Sequence, residues 1–384
     1  MGKIKVAVAG VGNCASALIQ GIEFYRRRGI TEGTAEWGLI TPLVGPYAPG
    51  DIEIVAAFDV DRRKVGKRLA EAIFAPPNCT RRVVDTVDDG GVVVSMSPVL
   101  DGVPDHMAAY PDDRRFIPAE REPDDVRRVL SESGAEILVN FLPVGSQKAT
   151  EYFASLCLDL GIAFANCIPV FIASDPVWGK KFTEKNIPVI GDDVKSQLGA
   201  TILHRSLVRL FNDRGIRVKR TYQLNTGGNT DFLNMLNRER LSSKKISKTE
   251  SVRSVLDQTL DDRDIHVGPS DYVPWQDDNK IAFIRVEGEG FCGAPVELEV
   301  RLSVIDSPNS AGVVIDVLRC LKLALDAGIG GPLLEPSSYF MKHPPLQFTD
   351  EEAREEVRNF IHRAVELAKK VREPEGAREG STPR

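Results

Sequence analysis

The sequence holds no stretch near the ~18 consecutive apolar residues that a membrane helix needs, so a soluble protein is expected. Val6 stands where a myristoylation signal requires Ser or Thr, and the first residues run straight into a strand-like stretch. Neither a lipid anchor nor a signal peptide is expected. There is no excess of positive charge: 49 Lys and Arg face 55 Asp and Glu, a net of −6, which removes the basic footprint of a nucleic-acid binder. The six cysteines (Cys14, Cys79, Cys157, Cys167, Cys292 and Cys320) contain no CxxC pair, and the five histidines show no metal-ligand spacing. In so long a chain this reads as reduced, mostly buried thiols in a cytoplasmic protein. No repeat at a period of about 20 to 50 residues is visible.

What remains is an ordinary globular composition, 42% hydrophobic and 27% charged over 384 residues. That length suggests two or three domains of roughly 150 residues each. Short apolar runs at 4–9, 52–58, 92–94, 137–142, 162–165 and 188–190 alternate with helical patterns at 15–27, 61–74, 125–131 and 148–160. Such alternation predicts an α/β fold, a doubly wound parallel sheet covered on both faces. After about residue 200 the pattern changes. Val296, Leu298, Val300, Leu302 and Val304 alternate with Glu297, Glu299, Arg301 and Ser303, as in a half-exposed antiparallel strand. Strands at 217–224 and 281–286 are its expected neighbours. The spacing therefore divides the chain into a nucleotide-binding domain (1–200), an α+β domain (201–305), helices that return to the first domain (306–372) and a disordered tail (373–384). Residues 75–121, rich in Pro, Asp and Gly, are not placed.

The strongest local signal is Gly10-Val11-Gly12-Asn13-Cys14-Ala15, which joins the first strand to the first helix. Gly10 permits the tight turn, Gly12 lets a pyrophosphate approach the backbone, and Ala15 keeps the helix close to the strand. The helix start offers unpaired N–H groups to the anion. Asp59 closes the second strand, 44 residues beyond Ala15 (59 − 15), so a surface insertion at 28–50 lies between them. An acid there accepts from a ribose hydroxyl and repels a 2′-phosphate, favouring NAD over NADP. The competing reading is a plain tight turn in some other α/β protein. Further along, the polar loop 225–231 follows a strand, and Lys244 and Lys248 share one face if their segment is helical.

Taken together, these motifs resemble the myo-inositol-1-phosphate synthase family in its actinobacterial type. The matching stretches are residues 10–15, 166–175, 191–197, 223–232, 243–249, 278–280, 306–310 and 339–342. The resemblance implies a Rossmann-type domain with a second catalytic and tetramerisation domain. It also implies NAD-dependent conversion of D-glucose 6-phosphate to 1L-myo-inositol 1-phosphate by oxidation, enolisation, aldol closure and reduction. Lys244, Lys248, Lys280 and Lys342 match the family's lysines, with Lys244 as the proton shuttle at O5. Asn225, Asn229 and Asp231 match residues around the sugar and nicotinamide, and Ser196 matches a cofactor contact. Asp231 and Lys244 also fall among the cofactor-side positions, with Gly10, Gly12, Asn13, Cys14, Ala15 and Asp59. Asp193 and Asp306 match acids near the nicotinamide that either hold a divalent cation or orient lysines by ion pairing. His343 reads as a bystander. The alternative reading is an ordinary NAD-dependent dehydrogenase of a phosphorylated substrate.

Overall fold

Apolar residues at every position of Ile4–Ala9 (β1) except Lys5 make it a strand that is buried on both faces. In the computed structural model, which describes residues 2–31, 38–237, 242–257 and 259–372, β1 leads into helix α1, Asn13–Arg28. Then come β2 (Ile52–Asp59), α2 (Leu69–Ala72), β3 (Val94–Met96), α3 (Val126–Ser133) and β4 (Ile137–Asn140). Next are α4 (Gln147–Leu160), β5 (Ala163–Asn166), α5 (Pro176–Glu184), β6 (Pro188–Ile190) and α6 (Ala200–Asp213). The second half comprises β7 (Arg217–Gly227), α7 (Thr230–Asn234), α8 (Ser242–Arg253), β8 (Ile265–Tyr272), β9 (Asn279–Glu289) and β10 (Pro295–Ile305). It closes with α9 (Asp306–Asp326), β11 (Gly331–Pro332), α10 (Leu334–Phe340) and α11 (Asp350–Arg372).

The first sheet is parallel throughout, in the order β3-β2-β1-β4-β5-β6-β11. Its first six strands follow the dinucleotide-binding order, which reverses direction between β1 and β4 and opens a crevice at the carboxyl ends. Alternation along β1 feeds two cores. Val6 and Val8 pack with Leu18 and Ile22 of α1, Val314 and Leu318 of α9, and Phe360 of α11. Ala7 and Ala9 pack on the other face with Phe58, Phe153 and Phe164. Each large apolar side chain so enclosed stabilises the fold by about 1.5–3 kcal/mol.

The second sheet runs β10-β9-β7-β8. β10 and β9 form the expected antiparallel pair, whereas β8, absent from the sequence reading, lies parallel to β7. Ala282, Ile284 and Val286 face a core with Val208 and Phe211 of α6. The opposite face leaves Leu224, Phe283 and Ile305 exposed beside an ion-pair ladder from Arg285 to Glu287, Glu297 and Glu299.

Two expectations need correction, and the unplaced stretch 75–121 takes a defined position. The helix expected at 61–74 shrinks to α2, because the buried Asp61 carboxylate accepts from the amides of Arg63 and Ile117 and pulls the chain into turns. Residues 75–121 fold over the first domain, where the Asn13 side chain accepts from the amides of Cys79 and Thr80. All six cysteines are free thiols, but only Cys157, Cys167 and Cys320 are buried. From the insertion, residues 40–42 dock on α9 through the buried Arg319, which donates to the Thr41 and Pro42 carbonyls at 2.9 and 2.7 Å. Asp316 accepts from the Ile40 amide at 2.8 Å. The tail 373–384 lies outside the described residues.

Candidate active site

The glycine turn meets its two demands. Gly10 has φ +91°, and a Cβ there would stand 2.8 Å from the Phe141 carbonyl oxygen, so only glycine fits. Gly12 caps α1, and a Cβ there would meet nothing within 4 Å, so the bare backbone borders open space. The first turn of α1 carries no acidic side chain to compete with an incoming anion. Ala15 is fully buried under the turn. Asp59 is engaged within the fold: Oδ2 accepts from the Val11 amide at 2.8 Å, and Oδ1 accepts from the amides of Val60 and Asp61. It braces the turn from behind.

Facing this turn across the crevice is the second sheet. A Cβ on Gly228 would lie 2.4 Å from the Asp277 amide nitrogen, so the loop after β7 packs directly on the strand-to-strand connection that carries Asp278. Asn229 caps α7, accepting from the amides of Asp231 and Phe232, and donates to Asp278 Oδ1 at 3.1 Å. Asp278 also accepts from the Ser307 hydroxyl at 2.7 Å, and its carbonyl accepts from the Asp306 amide. One buried carboxyl thus ties the loop, β9 and the start of α9 together. Burial pushes that carboxyl up to about 6, with Asp306 adding to the rise and the Ser307 and Asn229 hydrogen bonds opposing it.

Two lysines are then held by acids. Lys280 Nζ lies 3.1 Å from Asp306, and Lys342 Nζ lies 2.8 Å from Asp193. The other Asp193 oxygen accepts from the Ser247 hydroxyl at 2.7 Å, which links the pair to α8. Lys248, the next residue of that helix, is buried. The helix itself is polar and is held by Arg205, whose buried guanidinium donates to the Ser251 carbonyl and Ser254 hydroxyl and pairs with Asp350. Lys248, Lys280 and Lys342 line one cavity with Gly12, Asn13, Cys14, Asp193, Ser196, Asn229, Asp231 and Asp306. Cys14, a half-buried lining residue, has its thiol pushed far up, by enclosure of the sulfur first and then by the negative field of Asp306, Asp278 and Asp231. A rise in that direction favours the protonated thiol over the nucleophilic thiolate.

Most of the expected residues therefore converge. Ser196 does so with its hydroxyl 3.0 Å from that of Ser310. Asn225 does not line the cavity: it is buried in β7, accepting from Gln223 at 3.1 Å. Lys244 belongs to α8 as expected, and its side chain lies outside the described residues. His343 stacks on Phe171 with ring centroids 4.2 Å apart, and burial lowers its pKa. Sequence reasoning gave no role to Asp278 or Ser247, although the Asp-Asn-Lys triplet at 278–280 and the serine between the lysines were both in view.

Comparison with known proteins places this arrangement. The chain is 53% identical over 363 residues to inositol-3-phosphate synthase from Corynebacterium glutamicum, covering 93% of this chain and 98% of that one. The chain belongs to the inositol-3-phosphate synthase family. A second member, from Mycolicibacterium smegmatis, is 51% identical over 94% of this chain and 98% of its own. The profile of the family, described as myo-inositol-1-phosphate synthase, matches residues 199–307, from the start of α6 to the start of α9. Among solved structures, a myo-inositol-1-phosphate synthase-related protein from Thermotoga maritima superposes with a TM-score of 0.78 at 25% identity, covering 94% of this chain and 98% of that one.

The described residues show no divalent-cation site at the two acids. Asp193 and Asp306 each face an ammonium group. Among the described residues no three His, Cys, Asp or Glu side chains gather as metal ligands. Of the two readings of these acids, ion pairing with lysines is the one seen in their contacts.

Proposed function

We propose that this chain converts D-glucose 6-phosphate into 1L-myo-inositol 1-phosphate without net oxidation. The observation that carries the reading is the convergence of Lys248, Lys280 and Lys342 on a cavity whose opposite wall is the glycine turn. Three ammonium groups suit a dianionic sugar phosphate and the oxyanions that an aldol closure develops. When bound on the turn, NAD supplies a hydride acceptor and donor for C5 of the sugar. Gly12, Asn13 and the start of α1 would hold its pyrophosphate, and Ser196, which lines the same cavity, would contact it. Asp59 closes β2 with both carboxylate oxygens on backbone amides, and its negative charge beside the turn would disfavour a 2′-phosphate.

Lys244 moves the proton at O5 of the substrate. Lys248, Lys280 and Lys342 share the phosphate, O1 and the enolate oxygen. Asp193 and Asp306 aim two of these ammonium groups, while Asn229 and Asp231 position the sugar. The exposed face of the second sheet, with Leu224, Phe283 and Ile305, supports assembly as a homotetramer through this domain.

The test is incubation with glucose 6-phosphate and a trace of NAD, followed by phosphorus NMR. Inositol phosphate should form in many-fold excess over cofactor, with almost no absorbance rise at 340 nm. A stoichiometric rise at 340 nm would establish the dehydrogenase reading instead. NAD binding without turnover would make the protein a sensor.

A further inference from the structure

Lys64 is a buried lysine that the reaction does not use. Its side chain is 1% exposed, and burial pulls its pKa down while Asp59 and Asp61 pull it back. An ammonium group so enclosed is costly unless it is fully partnered, and an apolar residue of similar length would fill the space at lower cost. Its partners are specific. Nζ donates to the Val11 carbonyl at 2.8 Å and to Asn78 Oδ1 at 2.9 Å, with Asp59 3.8 Å away. Asn78 Nδ2 donates to the same Val11 carbonyl at 3.1 Å. On the other side of Val11, the amide donates to Asp59.

The Val11–Gly12 peptide is therefore held by its carbonyl, which points inward at two side-chain donors. A trans peptide is planar, with its N–H opposed to its C=O. The Gly12 N–H is consequently turned away from Lys64, Gly12 lines the cavity, and this N–H donates to no other group among the described residues. Gly12 also has open space where a Cβ would be. Left alone, a peptide in a glycine-rich turn can flip at little cost, because glycine accepts both signs of φ.

We propose that Lys64 and Asn78 form an anion-orienting bracket: they lock the Val11–Gly12 peptide so that its N–H meets the cofactor pyrophosphate. Lys64 in addition places a buried positive charge one peptide behind that anion. Both act as positioning residues through the backbone of the turn, and Asn78 in addition lines the cavity. The inference rests on the NAD reading and extends it to two residues outside the glycine motif.

The experiment measures binding of NAD, ADP-ribose and adenosine to the full chain, by calorimetry for the first two and ligand-observed NMR for the third. The variants are Lys64→Met and Asn78→Ala, each checked for folding by circular dichroism. Lys64→Met should weaken NAD and ADP-ribose at least tenfold and adenosine less than twofold. Asn78→Ala should give the same selectivity at about threefold, and it decides the matter if Lys64→Met does not fold. Unchanged ADP-ribose affinity in a folded variant overturns the bracket, as does an equal loss for adenosine and ADP-ribose. Failure of the wild-type chain to bind NAD or ADP-ribose would instead overturn the cofactor reading, and the bracket with it.

Discussion

Replacing Asp193 by Asn removes one charge from the point where three segments meet. Its carboxylate holds Lys342 at 2.8 Å and Ser247 at 2.7 Å, and the side chains of Asp193 and Lys342 are only 5% and 15% exposed. At an effective dielectric of about 20, opposite charges at that distance attract by about 6 kcal/mol before desolvation is counted. Desolvation offsets much of this. Removing one partner of a mostly buried pair nevertheless costs about 3 kcal/mol, because the remaining ammonium is left without a counter-charge. Asp193→Asn should therefore lower unfolding stability by about 2–3 kcal/mol in urea titrations. Turnover should fall at least 10²-fold, as expected when a charged group in the site is no longer aimed. The decisive measurement is the double-mutant cycle with Lys342→Met. In the Lys342→Met background the carboxylate has lost this ammonium partner and keeps its Ser247 hydrogen bond, so Asp193→Asn should cost less stability than it does in wild type. Additive effects, with a coupling energy below about 0.5 kcal/mol, would refute the claim that this pair organises the site.

Lys244→Ala should reduce turnover at least 10²-fold with much less change in NAD affinity, whereas Lys245→Ala should be nearly silent; steady-state assays beside calorimetry check both. Asp59 should make the chain prefer NAD over NADP by at least tenfold, about 1.4 kcal/mol, and equal affinities in calorimetry would contradict that. Burial raises the carboxyls of Asp192 and Asp278 to about 6, so the folded state binds more protons than the unfolded one between the ordinary carboxylate value near 4 and that pH. Their contribution to stability therefore falls as pH rises through this window and levels off above it. Denaturant titrations from pH 4.5 to 7 should show a shallower fall for Asp278→Asn than for wild type. Light scattering at micromolar protein should give the mass of a tetramer, and a stable monomer would count against assembly through the second sheet.

The local patterns of the chain were enough to place most elements. The apolar runs that became β1, β2, β5 and β6, and the alternation that became β10, are direct consequences of burial on two faces or on one. The glycine turn was equally legible, because Gly10 and Gly12 are demanded by backbone conformation and by access at their own positions. Helix periodicity failed where a long-range contact overruled it: Asp61 gives its carboxylate to Ile117, 56 residues away, and the turns that follow carry Lys64 into the interior. No local pattern records such a contact. The same holds for the site. Residue types pointed to the lysines, but their pairing is set by packing between segments distant in sequence. Asp193 meets Lys342 across 149 positions, and Asn229 meets Asp278 across 49. Charge attracts charge in any unfolded chain, but only the closed fold removes the water that would screen these pairs and so decides which acid aims which lysine.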